Sequence, residues 1–233
     1  RLADVVVKEG GSYGDMYGSG WATDPKTGVH LVNAKGLPEM NELQYLGNFN
    51  PDFSLGWSNT FTYGPLSLSF LLDGRVGGTV ISGTDANLAF YGLGDYTLPY
   101  REGGWVLPGV YSDGRNNTTD IKAEDFWTTV SGGRYAWGQF FAYDATNFRL
   151  REVALGYEIP MHSKFIKHAK ISLTGRNLFF LYRGRSRMDI PGIGKRKIPF
   201  DPDMTLGAGN FQGIESGNPP ALKSFGVNVK LSF

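Results

Sequence analysis

The sequence predicts an all-β fold: antiparallel strands of a transmembrane β-barrel, joined by long extracellular loops. Three observations carry this. Five segments alternate apolar and polar residues with period two, so each strand has one greasy and one wet face. The clearest of these segments are about eleven residues long, where about 5–6 is usual in a globular strand. The connections between them alternate between very short and very long, as in barrels with short periplasmic turns and long outer loops.

The first fifty residues are the least regular. Tyr13–Trp21 is rich in glycine and aromatic residues, and Asp24-Pro-Lys-Thr-Gly28 reads as a turn between short strands around Trp21 and Val29–Val32. This segment is expected outside the bilayer, leading into a hairpin.

The hairpin spans about 53–63 and 66–76. Phe53, Leu55, Trp57, Phe61 and Tyr63 share one parity, as do Leu66, Leu68, Phe70, Leu72 and Val76, with Gly64-Pro65 as the turn. Eleven residues at about 3.3 Å each, tilted about 45°, rise about 25 Å, the height of a membrane barrel's apolar band. A third strand covers about 147–159. Its apolar parity flips near Arg151-Glu152, which predicts a bulge there. The fourth covers about 170–182 and places Asn177 on the lipid-facing parity. The fifth, about 223–233, alternates without a break to Phe233.

The long connections cover about 77–146 and 183–222 and show no sustained periodicity. If the C-terminus ends in the periplasm, both short turns fall there and both long loops lie outside. Five membrane strands cannot close a barrel, whose smallest bacterial forms have eight. An open edge in lipid leaves backbone groups unpaired. With no initiator Met at Arg1, the expectation is the C-terminal part of a larger barrel.

Composition narrows the function. A formal net charge of +1 and zero cysteines give no global field for nucleic acid and no thiolate or disulfide chemistry. Mean hydropathy is −0.25, and no run approaches the about 20 apolar residues of a membrane helix. No hydrolase, zincin or P-loop pattern is present, so no enzyme, cofactor or metal site is expected. His162 and His168 flank a short basic turn and read as solvated. Asp113–Asp120 gathers oxygens but lacks the closing glutamate of a calcium loop.

The segments Leu46–Phe61, Asn147–Pro160, Ile171–Phe180 and Ser224–Phe233 resemble the C-terminal region of SusC/RagA-type TonB-dependent transporters. Gly11–Gly18 resembles the Gly/Tyr block that precedes the hairpin in that family. The resemblance implies a 22-stranded bacterial outer-membrane barrel, of which residues 1–233 are the C-terminal part, with the plug domain absent from this stretch. It implies contact with the TonB complex through missing N-terminal parts and pairing with a SusD-like surface lipoprotein. It also implies import of glycans or peptides in Bacteroidota. The alternatives are a soluble carbohydrate-binding β-sandwich and a structural surface barrel without transport.

The candidate site residues fall into three groups. Trp105, Trp127, Tyr135 and Trp137 in the first long loop are candidates for substrate or lipoprotein contact, the plainer reading being that they pack the loop. Asp73, Arg75, Glu152, Glu158, Arg176 and Lys230 lie on polar parities and are lumen-lining candidates, their opposite signs suggesting cross-strand pairs. Phe225, Gly226, Val229, Leu231 and Phe233 resemble the C-terminal signal read by barrel-assembly machinery. The basic run Arg183-Gly-Arg-Ser-Arg187, continued by Lys195-Arg-Lys197, reads as a solvated loop base. It is also a candidate contact for lipopolysaccharide phosphates at the outer-membrane lipid surface, or for an anionic substrate or partner.

Overall fold

A computed structural model describes residues 2–132, 135–162, 165–207 and 211–233. In chain order the strands are β1 (Asp4–Val5), β2 (Asp15–Trp21), β3 (Met40–Asn48), β4 (Phe53–Tyr63), β5 (Leu66–Val76), β6 (Thr79–Ser82), β7 (Ala142–Asp144), β8 (Asn147–Ile159), β9 (His168–Arg183), β10 (Ile214–Glu215) and β11 (Ser224–Ser232). The helices are α1 (Gly83–Phe90) and α2 (Ala123–Ser131). These elements form two units. A loop unit comprises Arg1–Pro51, Gly77–Ala145 and Gly184–Pro219; a sheet unit comprises Asp52–Val76, Thr146–Arg183 and Pro220–Phe233.

The sheet unit is one five-stranded antiparallel sheet in the order β11-β9-β8-β5-β4. Tyr63 pairs with Leu66, so Gly64 and Pro65 form a two-residue turn. Gly64 has φ +56, which a first central glycine supplies in a II′ hairpin turn, and proline fits the negative φ that follows. Side chains line up in rows across the sheet. Val229, Ile171, Tyr157, Leu66 and Tyr63 form one apolar row, and Val227, Leu173, Leu155, Leu68 and Phe61 the next. Between them, Asn228, Ser172, Gly156, Ser67 and Thr62 form a row of small and polar residues on the other face.

The bulge expected near Arg151 is present. Leu71 pairs with Glu152 but Leu72 pairs with Leu150, so Arg151 is the extra residue against β5. On its other side Glu152 pairs with Arg176 and Leu150 with Phe179, so β9 inserts Asn177 and Leu178 opposite Arg151. Asn177 sits at φ +52, a left-handed conformation that asparagine tolerates better than most residues. Its Nδ2 donates to the Leu222 carbonyl at 3.2 Å. This corrects the placement of Asn177 in the regular lipid-facing row: the residue turns the strand through a bulge.

The loop unit corrects a second expectation. The connection 77–146 is not a structureless loop, because it folds together with the first fifty residues and the segment after β9. Strands β1, β2 and β3 form one antiparallel sheet. In a second sheet β6 pairs in parallel with β10 and antiparallel with β7. Helix α1 starts at Ser82, whose Oγ accepts from the Asp85 N–H at 2.9 Å, an ordinary N-cap. Helix α2 turns Ala123, Phe126, Trp127 and Val130 inward at helical spacing. They join Trp21, Leu107, Phe140, Phe141 and Ile190 in a core drawn from all three segments of the unit.

Candidate functional site

The sheet unit has two chemically opposite faces. Its apolar rows remain open: Phe225 is 78% and Leu173 57% exposed, and the large apolar residues at corresponding positions of all five strands are exposed too. In water, apolar surface of this extent would be driven against a partner layer. No second sheet covers it among the described residues of the unit. A hydrocarbon solvent removes the penalty, and the strands satisfy their backbone groups by pairing with each other.

The opposite face carries the charges. Arg151 Nε donates to Asp73 Oδ2 at 2.9 Å, and Arg176 Nε to Glu152 Oε2 at 2.9 Å. The second pair joins directly paired positions of β8 and β9. Arg151 was not among the lumen candidates; the bulge brings it to Asp73. Glu158 pairs in register with Lys170, which pairs with Lys230 on β11, near the short-turn end. Arg75 stands opposite Asn147, and Arg149 lies over the Phe180 ring at 4.4 Å.

The loop aromatics divide. Trp105, Trp127 and Trp137 are 3%, 2% and 6% exposed and belong to the core, where Trp105 stacks on Tyr100 and Trp127 packs edge-on against Tyr96. A side chain so enclosed has no surface to offer a partner, so direct contact is corrected to packing for these three. Tyr135, 73% exposed, remains open.

The basic run is also redistributed. Arg196 is buried while Arg183, Arg185, Arg187, Lys195 and Lys197 stay at the surface. Gly184, Ser186, Met188 and Ile190 point inward between the charges, and Arg185 bridges Lys197, so the run has a small β-pairing beneath charges that, apart from Arg196, stay solvated. Arg196 Nη1 donates to Asp85 Oδ2 at 2.8 Å. The Tyr143 and Tyr96 hydroxyls donate to the same carboxylate at 2.5 and 2.7 Å. The guanidinium lies over the Tyr96 ring at 4.4 Å and also binds the Phe140 carbonyl. Burial pushes both phenols up, and the Asp85 charge adds to it. Burial alone would lower the Arg196 guanidinium, but the facing Tyr143, Asp85 and Tyr96 raise it overall. A charge this enclosed has no route to a lipid phosphate.

Beside this knot, Glu215 is buried and accepts from Ser82 Oγ at 2.5 Å and Thr84 Oγ1 at 2.6 Å. It ties β10 to the first turn of α1, where a negative charge favours the helix dipole. In the Asp113–Asp120 loop, Asp113 binds Arg115 at 2.8 Å, and Asn117 Nδ2 donates to the Leu107 carbonyl. The polar groups there are used in turn formation. His162 and His168 are exposed; Ser163 and Lys164 of the same turn lie outside the described residues. Neither long-range tie, Asp85–Arg196 nor Glu215–Ser82, has a local signal in the sequence.

No family model matches the chain. Two curated proteins of Formosa agariphila are similar to it: TonB-dependent receptor P26, 26% identical over 88% of the chain, and TonB-dependent receptor P3, 21% identical over 98%. The chain spans 19% and 23% of these relatives' lengths. Among solved structures, the RagAB peptide importer in its closed-closed and open-open states matches 94% of the chain, with TM-scores of 0.56 and 0.55 at 20% and 19% identity. The chain covers about a quarter of those structures. The strands and their loop unit therefore have the RagA-like barrel fold, and the similar proteins are named for reception and import, not for catalysis.

Proposed function

We infer that this chain supplies the C-terminal barrel strands and surface loops of a SusC/RagA-type TonB-dependent transporter in a bacterial outer membrane. The transporter imports glycans or peptides together with a SusD-like surface lipoprotein, and draws energy from the TonB complex through parts outside this stretch. It performs no catalysis. The observation that carries the reading is the sheet itself: one open apolar face continuous across five long strands, and an ion-paired polar face behind it.

In this reading the apolar rows meet lipid and the polar face lines a watery lumen. Glu152, Arg176, Asp73, Arg75, Glu158 and Lys230 set the charge along it. The loop unit stands at the cell surface, where Tyr135 is a candidate contact. Phe225, Gly226, Val229 and Leu231 on β11, with Phe233 just after it, form the assembly signal. Further strands pair with the free edges of β4 and β11 to close the barrel.

This stretch has no native cysteine, so in a transporter whose other cysteines, if any, are replaced, single introduced cysteines report its topology. In intact cells a membrane-impermeant maleimide should label Tyr135→Cys and should miss Pro65→Cys until the outer membrane is permeabilised. Equal labelling of both sites before permeabilisation would remove the transmembrane assignment. Deleting Phe233 should lower the folded, heat-modifiable fraction; a normal fraction would remove the assembly role.

A further inference from the structure

The polar face of the sheet is electrically matched in its middle rows and unbalanced at its short-turn end. In the middle, Arg151 meets Asp73 and Arg176 meets Glu152, each at 2.9 Å. At the end, a cavity of about 650 Å³ is bordered by Lys167, His168, Lys170 and Lys230 but by a single acid, Glu158. Lys170 and Lys230 stand directly opposite each other on β9 and β11. Cβ atoms in such positions lie about 4.5–5.5 Å apart, and like charges there weaken the pairing. Glu158 is the in-register neighbour of Lys170 on β8. Yet among the described residues the side chains of Lys170, Lys230 and Glu158 make no ion pair or hydrogen bond. Lys170 runs instead over Gly156, where a Cβ would stand 2.6 Å from the Lys170 Cε and 2.6 Å from Ser67 Oγ. The glycine leaves a channel that holds this half-buried lysine against the sheet.

Two adjacent ammoniums beside a cavity of this size call for an anionic occupant. A small free anion would fill a minor part of the space and leave Glu158 without a donor. A polypeptide segment supplies both needs: carboxylates for the lysines and backbone N–H groups for Glu158. The chain spans 19% and 23% of its curated relatives' lengths, so most of such a protein remains to meet this face. We propose that an acidic segment of the transporter, outside this stretch, docks at the short-turn end of the polar face with its carboxylates on Lys170 and Lys230. Charge-assisted bonds hold it there. The proposal rests on the transporter reading and deepens it. It gives the sign of the charge that the rest of the protein brings to the lumen, and the row that receives it.

Carbodiimide coupling on the whole transporter in detergent micelles tests this, since it joins a lysine amine to a carboxylate in contact with it. Peptide mass mapping of the single-copy band should find Lys170 or Lys230 linked to an acidic residue outside residues 1–233. The double variant Lys170→Gln/Lys230→Gln should lose that linked peptide. It should keep the parent's folded, heat-modifiable fraction, because both side chains lie on the watery face. If the double variant fails to fold, the parent's map decides alone. Links confined to Glu158, links only between two copies, or no link at either lysine would each overturn the proposal, the last being the result that a free anion in the cavity gives. The maleimide experiment reports which side of the membrane each labelled site occupies, so failure of the docking and failure of the transporter reading give different results.

Discussion

Asp85 and Arg196 meet at 2.8 Å inside the loop unit although 111 residues separate them in the chain. Their side chains are 1% and 5% exposed, so the pair has almost no help from solvent. Two tyrosine hydroxyls and a backbone carbonyl satisfy most of the remaining groups, leaving the Arg196 Nε without a hydrogen-bond partner among the described residues; such pairing is the condition under which a buried ion pair is tolerated. The pair joins α1 to the segment after β9, and the core of the loop unit closes around it.

Removing one partner strands the other charge. Arg196→Met or Asp85→Asn should destabilise the loop unit by about 3–5 kcal/mol, the usual cost of breaking a buried pair. The double variant should be less destabilised than the two single effects added together. Amide exchange within α1 and α2 would read this out. Native protection in Arg196→Met would show that the knot is incidental to the fold.

The legible part of this protein was the part governed by one repeating geometric rule. Period-two alternation follows from strand geometry alone, so Val227, Val229 and Leu231 announced their face, and the parity flip announced the bulge at Arg151. Asn177 could not be read, because its bulge depends on the register of two strands at once. In the loop unit the signals were present but short. Ala123, Phe126, Trp127 and Val130 have helical spacing over barely two turns, and Gly184, Ser186, Met188 and Ile190 alternate with charges that drew attention to themselves. Such elements are set by tertiary packing more than by propensity. The meeting of Asp85 with Arg196 is a property of the folded chain only.

The left-handed Asn177 gives a contrast between two substitutions. Both Asn177→Gly and Asn177→Val lose the side-chain bond to Leu222, but only valine is strained at φ +52. Asn177→Val should therefore be less stable than Asn177→Gly by about 1–3 kcal/mol. Denaturant midpoints for the whole transporter folded in lipid vesicles would show the difference. Equal midpoints would mean that the bulge relaxes to accommodate a branched residue.

Acidity should loosen the loop unit first around His30. This imidazole stacks on Trp21 at 4.2 Å, and its Nδ1 is buried without a partner. Burial lowers its pKa, partly offset by a hydrogen bond with the Ala22 backbone. The folded value thus lies below the unfolded one. Between the two, the unfolded chain binds a proton that the folded chain does not, so stability is full above about pH 6.5 and falls as pH drops towards the folded value. His30→Phe should remove this limb in amide exchange of residues 21–32 between about pH 7 and 5. The limb from Asp15 lies lower: the Ser12 N–H and Asn48 hold its carboxyl below the usual range, so its contribution is lost only as pH falls through that depressed value. A sensitivity near neutrality that survives His30→Phe would assign it to another group.

The two faces of β9 give the strongest contrast in the sheet. Leu173 sits in the middle of an apolar row, paired with Leu155 on one side and Val227 on the other. Its neighbour Ser172 points to the opposite face, between Gly156 and Asn228. If the apolar face meets lipid, Leu173→Arg buries a guanidinium in hydrocarbon and should cost about 2–4 kcal/mol, the range for a barrel's lipid face near the midplane. Ser172→Arg enters a watery lumen, and its cost should be small. The variants differ by one position in the chain and introduce the same residue, so composition and strand propensity cancel in the comparison. Folding titrations of the whole transporter into vesicles would measure both. A soluble sandwich would also resist Leu173→Arg, but it would fold without lipid. Lipid dependence together with a large Leu173-to-Ser172 difference therefore fits the barrel alone, and equal costs at the two positions would contradict the assignment of the faces.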